Sequence, residues 1–173
     1  MQLSGVKMLP IMQFSDGSIL NESLQIIKKL DRENTLSNEW AEQGIENLLS
    51  AIAKPVHNLA MPYWIFTNEF DPLSRDYFRK KKEAKRGPLQ LLAQRKNEFL
   101  RELPALFLTF KDDLRPSYKH HQLSILDIML ASHLWGLYVV PEFQFPNWLH
   151  DYLQDIAVKC NFNYHIDFWQ GPL

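Results

Sequence analysis

Apolar and polar positions split the chain into a short front part with strand signals and a long helical remainder. Residues 8–14 form a short apolar run, long enough for a buried strand and too short for a helix. Pro10 near its start predicts an edge position or a special turn. Asp16-Gly17 is a hairpin turn signal, so residues 18–20 should return as a second, antiparallel strand. From Glu22 the period changes. Leu24, Ile27 and Leu30 recur at three-residue spacing, with Ile26 beside them and Lys28 and Lys29 opposite. That pattern predicts a short helix to about Leu30, with Asn21 as its N-cap and Glu22 in its first turn. Residues 31–37 are polar and aperiodic, which suits a linker.

Beyond the linker the pattern is helical almost to the end. Trp40, Gly44, Ile45, Leu48, Leu49 and Ile52 mark one apolar face, and Pro55 and Pro62 predict kinks or a break after it. Residues 73–84 and 88–114 read as two further helices, separated by Arg86-Gly87-Pro88, a stop-and-restart signal. Pro104 is expected to bend the second. Residues 125–139 make the most apolar helix, and a last one over 147–160 carries Trp148, Leu149, Tyr152, Leu153 and Ile156.

Composition narrows the class. The 173 residues suit one domain, or one domain and part of another. Five Trp and eleven Phe favour a packed core over disorder. A net charge of −1 supplies no bulk field for nucleic acid or an anionic membrane. No run approaches the ~18–20 apolar residues of a membrane span, and the first residues lack the pattern of a signal peptide. Cys160 is alone, which excludes an intrachain disulfide, a Cys-x-x-Cys dithiol and a Cys-rich zinc site. A cytoplasmic protein is expected.

Candidate chemistry is sparse. Leu9-Pro10 is consistent with a cis bond that would turn the backbone of residue 9 outward, although an edge-strand proline is the commoner reading. Glu22-Ser23 at a helix start could seat a carboxylate on free N–H groups and pair an ammonium with Glu22; simple capping is the alternative. Ser124 followed by Asp127 is a capping box with an aspartate in place of the usual glutamate. The run from Arg79 to Arg86 reads as the solvated C-terminal end of a helix, or else as a surface for phosphates or an acidic partner. His120-His121 reads as loop, since adjacent residues cannot both face one metal from a helix. His133 reads as a satisfied core histidine and Cys160 as a small buried hydrophobe.

In order and spacing these segments resemble the bacterial glutaredoxin 2 family. Lys7-Met8-Leu9-Pro10-Ile11-Met12 is similar to that family's Lys-Gln-Val-Pro-Ile-Leu strand, and Glu22-Ser23-Leu24-Gln25-Ile26-Ile27 to its Glu-Ser-x-x-Ile-Val. Ser74 to Ala84, with Tyr77-Phe78 and a Lys-Lys-Glu-Ala piece, resembles Arg-Lys-Tyr-Phe-x-x-Lys-Lys-Glu-Ala. Ser124 to Asp127 matches the helix start common to glutathione transferase-like helical domains. The similarity runs from about Leu3 to Phe168.

The resemblance implies a mainly α chain: an all-helical glutathione transferase C-terminal-type domain over 38–173, preceded over 1–33 by a partial, β-β-α remnant of a thioredoxin fold. It implies glutathione as ligand or substrate, with Leu9 bonding the cysteinyl backbone beside a cis Pro10, and Glu22 and Ser23 holding the γ-glutamyl end. It also implies glutathione-dependent thiol-disulfide exchange on disulfide-containing proteins, without metal and in a monomer. The family's Cys-Pro-Tyr-Cys nucleophile has no counterpart here, and no residue of this chain takes a catalytic position. The expectation is a truncated member, inactive alone and able to self-associate, with residues 1–33 poorly stable unless docked on the helical body or paired with another chain. The alternative is a non-catalytic helical domain that binds glutathione or a protein partner.

Overall fold

The computed structural model describes residues 9–36 and 45–162. Nine elements follow in order: strands β1 (Met12–Gln13) and β2 (Ile19–Leu20), then helices α1 (Ser23–Leu30), α2 (Glu46–Trp64), α3 (Pro72–Arg86), α4 (Leu89–Gln94), α5 (Lys96–Leu108), α6 (Ile125–Leu134) and α7 (Asn147–Lys159). Two 3₁₀ segments, Lys111–Asp113 and Trp135–Val139, complete the backbone. The chain is therefore mainly helical, with a two-stranded antiparallel ribbon at its front. Residues 1–8, Trp40 and Gly44 on the first long helix, and Phe168 at the end of the resemblance lie outside the described residues.

The front hairpin forms where the Asp-Gly turn predicts it. Gly17 takes φ 81°, a region that a Cβ disfavours. The Gly17 N–H donates to the Phe14 carbonyl at 2.9 Å, and the Phe14 N–H to that of Ser18 at 2.9 Å. Lys29 of α1 reaches back to this turn. Its ammonium pairs with Asp16 Oδ2 at 2.8 Å, donates to Ser18 Oγ and lies 4.2 Å from the Phe14 ring centre. The N-cap of α1 is Glu22, one residue later than expected.

The linker is more ordered than its polar composition suggests. Asp31, the C-cap of α1, accepts hydrogen bonds from the Thr35 N–H (2.8 Å), Thr35 Oγ1 (2.6 Å) and the Leu36 N–H (2.9 Å). The Leu36 carbonyl in turn accepts the Ile125 N–H at 3.0 Å, and the Leu36 side chain packs on the core. The polar run thus ends docked at the start of α6.

In the helical body α2 is the hub, packed against α4, α5, α6 and the second 3₁₀ segment. Pro55 and Pro62 do not break it; both sit inside one continuous helix. Each proline lacks the backbone donor that would reach the carbonyl four residues back, that of Ala51 and of Asn58 respectively. Burial of Ile52, Val56, Leu59, Ala60 and Met61 along the same helix offsets that loss. The expected 88–114 helix is instead α4, Arg95, α5 and a 3₁₀ turn, with Arg95 both ending one helix and starting the next. Pro104 lies within α5. The apolar helix from Ile125 is α-helical only to Leu134 and tightens to 3₁₀ over Trp135–Val139.

One buried carboxylate ties the body together. Asp127 closes the capping box with Ser124, accepting its N–H and its Oγ, each at 2.8 Å. It also takes the Tyr118 N–H at 2.6 Å and the Tyr152 hydroxyl at 2.8 Å. Four donors from α6, α7 and the preceding loop converge on one side chain, and burial beside that carboxylate raises the Tyr152 pKa far above its ordinary value.

Candidate functional site

The hairpin register organises the front of the chain. Met12 pairs with Leu20 and Gln13 with Ile19. Carried outward, that register brings Leu9-Pro10 and Glu22-Ser23 to the same end of the hairpin, opposite the Asp16-Gly17 turn. The Leu9-Pro10 peptide is cis. Leu9 is 85% exposed, so its side chain is spent on no core contact.

The helix start beside it is open. The first intrahelical bond of α1 runs from the Ile26 N–H to the Glu22 carbonyl at 3.0 Å, so the N–H groups of Ser23, Leu24 and Gln25 precede the helical ladder. Among the described residues no side chain caps them, and residues 22–25 are all exposed. Such an end carries the positive pole of the helix dipole and suits a carboxylate. The Glu22 carboxylate at the same spot suits an ammonium. By contrast, α3 is capped by Asp71, whose carboxylate takes the Ser74 N–H at 2.7 Å, and α6 by its capping box. A zwitterionic amino-acid head therefore has complementary groups at the front of α1.

The remaining candidates resolve differently. Cys160 is not buried: it is exposed at the C-cap of α7, because the helix ends there and turns its last residue outward. Partial burial and the Asp127 charge push its thiol pKa up, with only Lys159 opposing. His120 sits in a tight turn, bridged to Ser117. Among the described residues no group of three or more His, Cys, Asp or Glu could hold a metal. Likewise none of their helices is long and apolar enough to cross a membrane. His133 is satisfied through Nδ1 at 3.0 Å from the Met129 carbonyl, but it is half-buried and stacks on His57. His57 carries no sequence signal; 76 positions separate it from His133, and only folding brings the rings together.

Comparison with known proteins agrees with this layout. Residues 44–166 match the family model described as glutaredoxin 2, C-terminal domain. Glutaredoxin 2 of Escherichia coli strain K12 is 28% identical over 176 aligned positions, covering 94% of this chain and 78% of that protein. The same figures hold for glutaredoxin 2 of E. coli O157:H7. In three dimensions the chain is similar to glutaredoxin 2 from Salmonella typhimurium, solved in complex with glutathione. The TM-score is 0.82 at 25% identity, over 96% of this chain and 79% of the other. The helical body from α2 to α7 lies within the residues that match the C-terminal domain model. On the family match and this shared fold, the chain belongs to the glutaredoxin 2 family.

Proposed function

We propose that this chain is a cytoplasmic glutathione-binding member of its family that does not by itself turn over disulfides. Leu9 presents its backbone to the cysteinyl part of glutathione beside cis Pro10. Ser23 and the open N–H groups of α1 hold the γ-glutamyl carboxylate, and Glu22 pairs with the neighbouring ammonium. The observation that carries this reading is the shared hairpin end, where an outward-facing cis Leu9-Pro10 and an uncapped helix start lie together. The solved glutathione complex of the Salmonella protein supports the choice of ligand.

Thiol-disulfide exchange needs a thiolate attacking a disulfide sulfur. The sequence Cys-Pro-Tyr-Cys does not occur in this chain, and Cys160 is its sole cysteine. That thiol has a raised pKa and caps the far helix of the body, so at neutral pH it is mostly protonated and a poor nucleophile. The domain division proposed here follows the same logic: a β-β-α unit ending near residue 33 carries the ligand, and a helical unit from about residue 38 supports it.

Calorimetry with reduced glutathione tests the binding half. Glu22→Gln should weaken binding roughly tenfold, the cost of one charge-assisted hydrogen bond; an unchanged Kd sinks the assignment. An assay with a glutathione mixed disulfide tests the other half. Turnover at background is expected, and turnover abolished by Cys160→Ser would make Cys160 the nucleophile instead.

A further inference from the structure

Four basic side chains from three helices meet on the helical body. His57 comes from α2, Lys82 and Arg86 from one face of α3, four residues apart, and His133 from the last turn of α6. All four are half-buried. The imidazoles stack with centroids 5.6 Å apart and planes inclined by 21°. Arg86 Nη1 donates at 2.8 Å to Oδ1 of Asn58, a buried residue next to His57, which holds the guanidinium beside the rings.

Among the described residues the cluster has no counter-charge. No ion pair forms at Lys82 or Arg86 among the described residues, and Lys82 has only the Phe78 ring, at 5.3 Å. Among the described residues the ring nitrogens of His57 make no hydrogen bond. Burial, His133, Arg86 and Lys82 together push the His57 pKa down to about 4. Burial and the neighbouring cations Arg86, Lys81 and Lys85 lower that of Lys82 as well. Acidic groups on the packed elements face elsewhere. Glu83 of α3 accepts the Leu89 N–H at 2.9 Å, and Asp127 of α6 is used by its own four donors. On α2 the nearest ionisable group, one turn back, is exposed Lys54, another cation.

Gathering like charges in a half-buried place is unfavourable unless an anion joins them. We propose that His57, Lys82, Arg86 and His133 form a binding site for a phosphate dianion. The cations of Lys82 and Arg86 match its two charges, whereas a carboxylate would neutralise only one. Arg86 keeps N–H donors beyond the one given to Asn58, Lys82 has three, and the imidazole nitrogens can supply more on protonation. This site is independent of the glutathione reading: it uses none of Leu9, Pro10, Glu22 or Ser23.

The test follows the His57 ring resonances of the full chain by NMR. Inorganic phosphate is titrated at pH 8, sulfate serves as a non-titrating dianion for a pH series, and sodium chloride or acetate at equal ionic strength serves as control. Phosphate and sulfate should give saturating shifts, with sulfate moving the His57 titration midpoint upward, and chloride and acetate should not. Lys82→Met, which breaks no hydrogen bond, should weaken sulfate roughly tenfold. Equal shifts in chloride, acetate binding as tight as sulfate, or undiminished binding by Lys82→Met would each overturn the proposal. The wild-type comparison decides the matter even if the variant fails to fold.

Discussion

Asp127 concentrates at one side chain the connections that hold α6, α7 and the Tyr118 loop in place. Asp127→Ala would strand four buried donors, and a urea titration should show a loss of about 3–5 kcal/mol. The Ser-x-x-Asp spacing already announced the capping box, because a cap is a local matter of three residues. Tyr118 and Tyr152 were not legible, since their meeting with Asp127 depends on how α7 packs. His57 belongs to the same category, and it has a pH consequence. Its folded-state pKa of about 4 lies below the ordinary 6.5, so on acidification the unfolded chain takes up the proton first. The associated stability is intact above pH 6.5 and is lost as pH falls through about 4. In paired thermal melts, His57→Gln should therefore lose less stability than the wild type between those pH values. Equal losses would mean that His57 titrates normally.

Elements were the most legible level, and their errors are informative. The hairpin, α1, α3 and α7 follow from turn chemistry and period alone, within one or two residues. Of the kinks or break expected at Pro55 and Pro62 the break did not occur, because α2 is surrounded by packed helices and burial outweighs two lost backbone bonds. The 88–114 segment has helical composition throughout, so nothing local marks the pause at Arg95. Gly87 shows the reverse case, a boundary written in one residue. It ends α3 at φ 81°, with its N–H on the Glu83 carbonyl at 2.9 Å. A Cβ there would meet nothing within 4 Å, so Gly87→Ala isolates the backbone term. It should cost about 1 kcal/mol in chemical denaturation; a neutral result would show that the turn relaxes to another conformation.

At the scale of the molecule the core is distributed unevenly. Within residues 9–36 only Ile26 is buried, while Leu24 and Leu30 are 40% and 55% exposed. The body, in contrast, shares one continuous core from Ile45 to Ala157. Hydrogen exchange should therefore open α1 and the hairpin well before α2 or α6, by local rather than global unfolding. Matching protection in α1 and α2 would show one cooperative unit instead. The candidate glutathione site was readable because its residues are close in sequence and lie on a hairpin. Of the basic cluster only the Arg79–Arg86 run was readable, because His57 and His133 join it from two other helices. Leu36 links the two levels of stability. Its carbonyl holds the Ile125 amide, which is the first amide of α6 and has no partner within its own helix. That single proton is in effect a tell-tale fixed across a seam. Its exchange rate reads out whether the front of the chain is moored, while the rest of α6 reports only on the body.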